Sequence, residues 1–434
     1  MTLLLDDEIA KRKTREECLA EIPEDLRERM TAILQSPELL CWIAAGIERM
    51  GVAGEHQLAL TLYLTGTSRL LRKPLAVIVQ GPSSSGKSYV IERVAKLFPE
   101  EAVLQATDMT PQSLYYLPAG ELEHRFVVAG ERARRQSDET ASATKALREM
   151  ISSGRLFKLT TVSDQDGPRS VPIQQSGPIA YVESTTASEL FEEDANRCLV
   201  LQPDERPEQT RRILNAEARS LIGDYEGNER ECLESEFHAL HRLLAPKDVV
   251  IPYAEALYDG LPSEPLEIRR AAGHVSSMIQ ACALLHQWQR ETDDRGRIIA
   301  RPEDFWIARQ ILEPVLARSL TARPLEALRR FVAQVRKLSG EFTAKEIAAH
   351  LKINERTVRE HLQSLLGEGA IQQTEPARGP IPAKWLVHAE LALRESDSQV
   401  LPKVQEVCGM NEESLSLPEM PADWHSADLT SVPF

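Results

Sequence analysis

Apolar positions along this chain fall into two patterns, short runs and stripes at helical spacing. Residues 75–79, 102–106, 124–131, 177–182 and 198–201 are mainly apolar runs, with Gln105 inside the second and His124, Arg125 and Glu131 at the ends of the third, the pattern of strands buried on both faces of a sheet. Between them, Val90, Ile91, Val94, Ala95 and Leu97 recur at the spacing of a half-buried helix, and residues 143–151 read the same way. Residues 33–71 carry a longer helical pattern that leads into the first strand. Residues 156–162 and 170–174 flank a turn centred on Asp166-Gly167, the signature of a β-hairpin. From 203 to 245 and again from 266 to 290 the period is helical. Strands alternating with helices predict an α/β fold around a parallel sheet.

The first strand runs straight into Gly81, Pro82, Ser83, Ser84, Ser85, Gly86, Lys87 and Ser88, which satisfies G-x-x-x-x-G-K-[ST] between a strand and a helix. Small residues let successive N–H groups curl round a phosphate, and the following helix adds positive potential at its N-terminus. Lys87 is placed to reach β- and γ-phosphates, Ser88 to face Mg2+, and Tyr89 opens the helix. The strand at 124–131 ends Gly130-Glu131, where nucleotide hydrolases usually carry Asp-Glu. Glu131 is the candidate for orienting the attacking water. Asp108 and Glu183 are candidates for the carboxylate that Gly130 lacks. The strand ending at Thr185 and Thr186 supplies hydroxyls, and Arg197 precedes the last short strand.

Composition narrows the reading. Lys+Arg 51 against Asp+Glu 66 gives a net charge of −15, so any nucleic-acid contact has to come from a local basic face. The cysteines at 18, 41, 198, 232, 282 and 408 are scattered without C-x-x-C spacing, which reads as reduced thiols in a cytoplasmic protein. No signal peptide or membrane span is expected. Residues 326–389 reverse the overall sign, with ten Lys/Arg against seven Asp/Glu.

The order phosphate loop, acid-tipped strand, helix, hairpin, hydroxyl-tipped strand, Asn196-Arg197 resembles the AAA+ ATPases. It is most similar to the branch with a pre-sensor hairpin, which includes the minichromosome maintenance helicases and helicase-like ATPases of bacterial mobile elements. That resemblance implies ATP and Mg2+ as cofactors, Thr185 or Thr186 as sensor 1, Arg269 or Arg270 as sensor 2, and Arg197 as an arginine finger reaching a neighbouring subunit. It implies a homo-oligomer, with a hexameric ring as one form, and a hairpin whose Lys158 and Arg169 touch DNA. A separate primase or other mobile-element protein is a further expected partner.

Toward the C-terminus, helices at 342–351 and 355–366 followed by two short strands resemble a winged helix-turn-helix, with Arg356, Thr357 and Arg359 on the groove-entering helix. The expected architecture is therefore a helical lead-in (1–60), an AAA+ α/β core (61–205), a helical lid (206–322), a winged helix (323–390) and an acidic, disordered tail (391–434). The functional expectation is an ATP-dependent DNA motor or remodeller. The alternative is a DNA-binding switch or loader that hydrolyses ATP poorly because Gly130 has replaced the acid. A small-molecule kinase would account for neither the hairpin nor the C-terminal module.

Overall fold

The computed structural model describes residues 13–107, 113–132, 138–164, 167–187, 190, 194, 196–222, 227–263, 267–335, 342–351, 354–367, 371–375, 382–387, 400–411 and 414–415. The chain divides into two compact units, one made of residues 1–315 and 401–434 and the other of 316–400.

In the first unit, helices α1 (Arg15–Ala20), α2 (Glu24–Gln35), α3 (Leu39–Arg49) and α4 (His56–Thr67) precede β1 (Ala76–Gln80) and α5 (Lys87–Ala95). Then come β2 (Val103–Ala106), β3 (Arg125–Arg132), α6 (Asp138–Ser153), the hairpin β4 (Arg155–Asp164) and β5 (Gly167–Ser176), β6 (Ile179–Thr185) and β7 (Leu199–Leu201). The five-stranded sheet has the order β2-β3-β6-β1-β7, and every neighbouring pair in it is parallel. Because all strands point the same way, the C-terminal tips of β1, β3 and β6 share one edge. Placing β6 between β1 and β3 brings its hydroxyl tip beside both the phosphate loop and the acid-tipped strand.

One face of the sheet packs Val127, Tyr181 and Ile78 against Ala146, Leu147 and Met150 of α6. On the other face Phe126 meets Phe98, just past α5, with ring centroids 5.2 Å apart. Helix α4 is apolar around its circumference and buried from Leu58 to Thr67, as expected of a helix covered on all sides. Its threonines are tolerated there because Thr61, Thr65 and Thr67 donate to the carbonyls of Gln57, Thr61 and Tyr63 at 2.6, 2.7 and 2.9 Å.

The helices after β7, Pro207–Ile222 and Gly227–Leu243, do not form a separate layer. Phe237 stacks on Trp42 at 4.7 Å and His241 on Phe98 at 4.1 Å, so the second of these helices belongs to the same core as α3 and α4. The boundaries expected at residues 60 and 205 therefore do not coincide with a break in packing. Helix Ile268–Leu285 follows. Arg290 then holds the fully buried Asp304 through Nη2 at 2.7 Å and Nε at 3.0 Å, fixing the start of helix Pro302–Val335.

The tail expected to be disordered from 391 is corrected over part of its length. Leu401 and Val404 are buried, Val404–Cys408 is helical, and Leu401 N–H donates to Glu313 at 2.8 Å. Apolar residues at 401, 404 and 407 recur at helical spacing inside an otherwise polar stretch. Residues 388–399 and 416–434 lie outside the described residues.

The second unit contains a three-stranded sheet in which strand Lys384–Val387 pairs antiparallel with both Phe342–Thr343 and Ile371–Glu375. Helices Ala344–Leu351 and Glu355–Gly367 pack on it through Ile347, Val358 and Leu362 around Trp385.

Candidate functional site

The phosphate loop turns sharply between β1 and α5. Ser84 has φ +67 and Gly86 φ +82, and Gly86 takes the left-handed conformation at the position just before α5, where glycine carries no Cβ penalty. Gly81 N–H is held on Thr185 O at 3.2 Å, tying the loop's entry to β6. Lys87 is buried and its Nζ donates to Gly81 O at 2.9 Å and Pro82 O at 2.6 Å, so the ammonium spans the curl of the loop. Ser83 and Ser84 are exposed, and Ser85 Oγ donates to Pro82 O at 2.9 Å. The first-turn N–H groups of α5 lack intrahelical acceptors and face outward with the helix dipole behind them. That arrangement suits a polyphosphate.

At the adjoining strand tips, Thr186 Oγ1 donates to Glu131 Oε1 at 2.8 Å. Thr185 is fully buried and its Oγ1 accepts the Ala187 N–H at 3.1 Å. Of the two hydroxyls named from sequence, Thr186 is the one that meets the acid. Glu183 is buried within β6 and accepts the Tyr181 hydroxyl at 3.0 Å. Asp108 lies outside the described residues.

Gly130 has a structural cause. A Cβ there would stand 1.9 Å from the Thr107 carbonyl oxygen, so the backbone at the end of β2 occupies the space a side chain would need. The β3–β6 ladder also slips at this point: Val128 is opposite Val182, but Glu131 is opposite Ser184. A bulge of one extra residue at Ala129–Gly130 produces this slip.

The donors near the loop suit magnesium. Ser88 presents an exposed hydroxyl in the first turn of α5 and Glu131 an exposed carboxylate at the sheet edge, both hard oxygen ligands. Among the described residues there is no cluster of His, Cys, Asp and Glu that would hold a metal by itself, and Mg2+ bound in this way leans on the phosphates of its nucleotide.

Sequence reasoning missed the loop between α3 and α4. The Tyr89 hydroxyl donates to Gly51 O at 3.1 Å, and Gln209 Nε2 donates to Ala53 O at 2.6 Å. Glu55 is buried and accepts the Asp204 N–H at 3.0 Å. Burial pushes its carboxyl up to about 7. These contacts tie residues 51–55 to α5 and to the chain leaving β7, both of which flank the phosphate loop. The only signal in the sequence is a Gly-Val-Ala-Gly break between helices, which carries no chemistry.

Other residues named from sequence lie apart from this edge. Arg197 precedes β7, whose Leu199 pairs with Val77, so it sits at the opposite end of the strands from Gly81, about 20 Å away at a rise of ~3.3 Å per residue. Its Nε donates to Ser152 Oγ at 3.1 Å. Helix Ile268–Leu285 docks at that same far end, with Ser277 Oγ donating to Lys73 O at 2.9 Å and His274 beside the backbone of Asn196. Arg269 and Arg270, exposed at the start of this helix, are therefore not brought to the phosphate loop of their own chain.

On the hairpin, Lys158 Nζ lies over the rings of Tyr115 and Tyr116, 5.3 and 5.9 Å from their centroids, while Phe157 and Leu159 are 63% and 64% exposed. Arg169 is exposed near the hairpin end, opposite Val162. In the second unit Arg356 and Arg359 are exposed and Thr357 is half-buried, with Arg359 paired to Glu355 at 2.6 Å.

Residues 26–237 match the family model described as the MTBMA_p00010 P-loop domain, a span that begins in α2 and ends inside helix Gly227–Leu243. No curated protein matches the chain. The loop geometry and this match define the class: a P-loop, nucleotide-binding protein of the NTPase type. Among the described residues no helix is long and apolar enough to cross a membrane.

Proposed function

We propose that the chain is an ATP-dependent DNA motor or remodeller of the AAA+ type. The observation that carries this reading is the shared sheet edge, where β6 lies between β1 and β3 and delivers Thr186 to Glu131 beside the phosphate loop. Lys87 and the N–H groups of the loop would hold the β- and γ-phosphates, with Ser88 on the Mg2+ side and Glu131 at the adjoining strand tip. Bound magnesium neutralises charge on the transferred phosphoryl group.

The hairpin β4–β5 supports placement in the hairpin-bearing branch. Arg197 and the Arg269–Arg270 pair lie at the far end of the sheet, so they can serve ATP only across a boundary to a neighbouring copy. Such a role needs a homo-oligomer, with a hexameric ring as one form. The helix pair and three-stranded sheet of the second unit support a winged helix-turn-helix. Its local positive charge and the exposed Arg356 and Arg359 favour DNA over protein as its ligand. DNA-stimulated ATP hydrolysis and nucleotide-dependent assembly, followed by phosphate release and analytical ultracentrifugation, test this reading. A protein that stays monomeric in ATP and shows no DNA stimulation overturns it.

A second reading is an ATP-binding switch or loader that acts on DNA and hydrolyses slowly. The bulge at Gly130 is the observation that favours it, because β3 carries Glu131 at its tip with no second acid beside it in the strand.

A further inference from the structure

Alternation along the sheet fixes which way each tip residue faces. Val127 and Tyr181, opposite each other, lie in the cluster with α6. Phe126 and Ala180, one position earlier, face the α5 side, where Phe126 meets Phe98. By the two-residue period Val182 and Ser184 also face α5. In an uninterrupted ladder residue 130 would stand opposite Ser184 and face α5, and Glu131 would stand opposite Thr185 and face α6. The bulge changes this. Glu131 stands opposite Ser184, and Arg132 follows opposite Thr185.

We propose that the Ala129–Gly130 bulge advances Glu131 by one ladder position, so that its carboxylate serves the magnesium of bound MgATP instead of orienting the attacking water, with Thr186 as its positioning residue. This rests on the nucleotide reading above. Three observations converge on it. The backbone of Thr107 closes the space at position 130, so no acid fits there. The slipped register puts Glu131 on the face of the sheet that carries α5 and Ser88. The Thr186 hydroxyl donates to one carboxylate oxygen at 2.8 Å, which leaves the other oxygen to a metal-bound water. The ladder position that the water-orienting acid would take in an uninterrupted strand belongs to Arg132. Magnesium-dependent nucleotide binding is the consequence, together with slow hydrolysis, which favours the switch-or-loader reading over the motor.

The test uses the full chain and a fluorescent, non-hydrolysable ATP analogue, titrated once with excess Mg2+ and once with EDTA. Wild type is expected to bind more tightly in Mg2+. Glu131→Gln is expected to lose about 10–100-fold of that magnesium-dependent gain, the usual range for removing an outer-shell partner, with its EDTA affinity unchanged. Thr186→Val is expected to lose part of the same gain. Lys87→Ala, by contrast, weakens binding in both conditions. A Glu131→Gln protein that keeps the full wild-type gain and loses only single-turnover hydrolysis of ATP overturns the assignment and returns Glu131 to the water. Failure of wild type to bind the analogue in either condition overturns the nucleotide reading itself, and this assignment with it.

Discussion

Glu55 is the residue whose ionisation the fold perturbs most usefully. Its carboxyl is buried against the Asp204 backbone and pushed up to about 7 from an ordinary 4.5. Below pH 4.5 it is protonated folded or unfolded and costs nothing. As pH rises towards about 7 the unfolded state ionises first, so this residue makes the fold progressively less stable, and above that the cost is constant. Glu55→Gln keeps an acceptor for the Asp204 N–H and is expected to raise stability by about 3 kcal/mol at pH 8, because each tenfold change in an ionisation constant is worth ~1.4 kcal/mol, with no gain at pH 4. Urea unfolding at the two pH values measures this. Gly130 acts through space, not charge. Gly130→Asp restores the residue type usual at that place in the sequence, yet it is expected to lower the melting temperature by overpacking Thr107 and to leave ATP turnover no faster. Differential scanning calorimetry and a phosphate-release assay are the measurements.

The two sides of the hairpin ribbon have different surroundings. Lys158 lies on Tyr115 and Tyr116, whereas Phe157 and Leu159 face solvent from the opposite side of the ribbon. Replacing both Phe157 and Leu159 by Ser is therefore expected to spare nucleotide affinity and melting temperature while reducing DNA stimulation of hydrolysis. Lys158→Ala is expected to reduce that stimulation less. A steady-state ATPase titration with single-stranded DNA compares them. Elsewhere, Asp304→Ala strands the buried Arg290 guanidinium and is expected to cost about 3–5 kcal/mol in urea unfolding.

Sequence and structure agree best at this scale, and the reason is physical. The unbroken apolar runs at 75–79 and 198–201 leave a buried parallel strand as the natural outcome, and the Asp-Gly signal between two strand-like stretches points to the hairpin formed by β4 and β5. The bulge was illegible because it changes register without changing the apolar pattern, so Gly130 reads as a missing acid instead of a displaced one. The far-end docking of Arg269 and Arg270 was illegible for another reason. It depends on Ser277 meeting Lys73 and His274 meeting Asn196, pairings between segments remote in sequence that no local spacing encodes. Residues 51–55 escaped notice because their role rests on backbone carbonyls.

For the whole molecule, the chain leaves its first unit after residue 315 and rejoins it at 401. The return is anchored: Arg309 Nε donates to Pro402 O at 3.1 Å, and Leu401 and Val404 are buried. Replacing 316–400 by a short flexible linker is expected to preserve analogue binding, whereas ending the chain at 315 removes the anchor and is expected to lower the melting temperature. The same route has a consequence for handling the protein. A protease that cuts once within 316–400 yields two fragments that still migrate together on a native gel, because residues 401–411 stay packed where they were, and that separate only in denaturant. A nicked preparation would therefore pass as intact by size exclusion, and only denaturing electrophoresis or intact-mass spectrometry would reveal the cut.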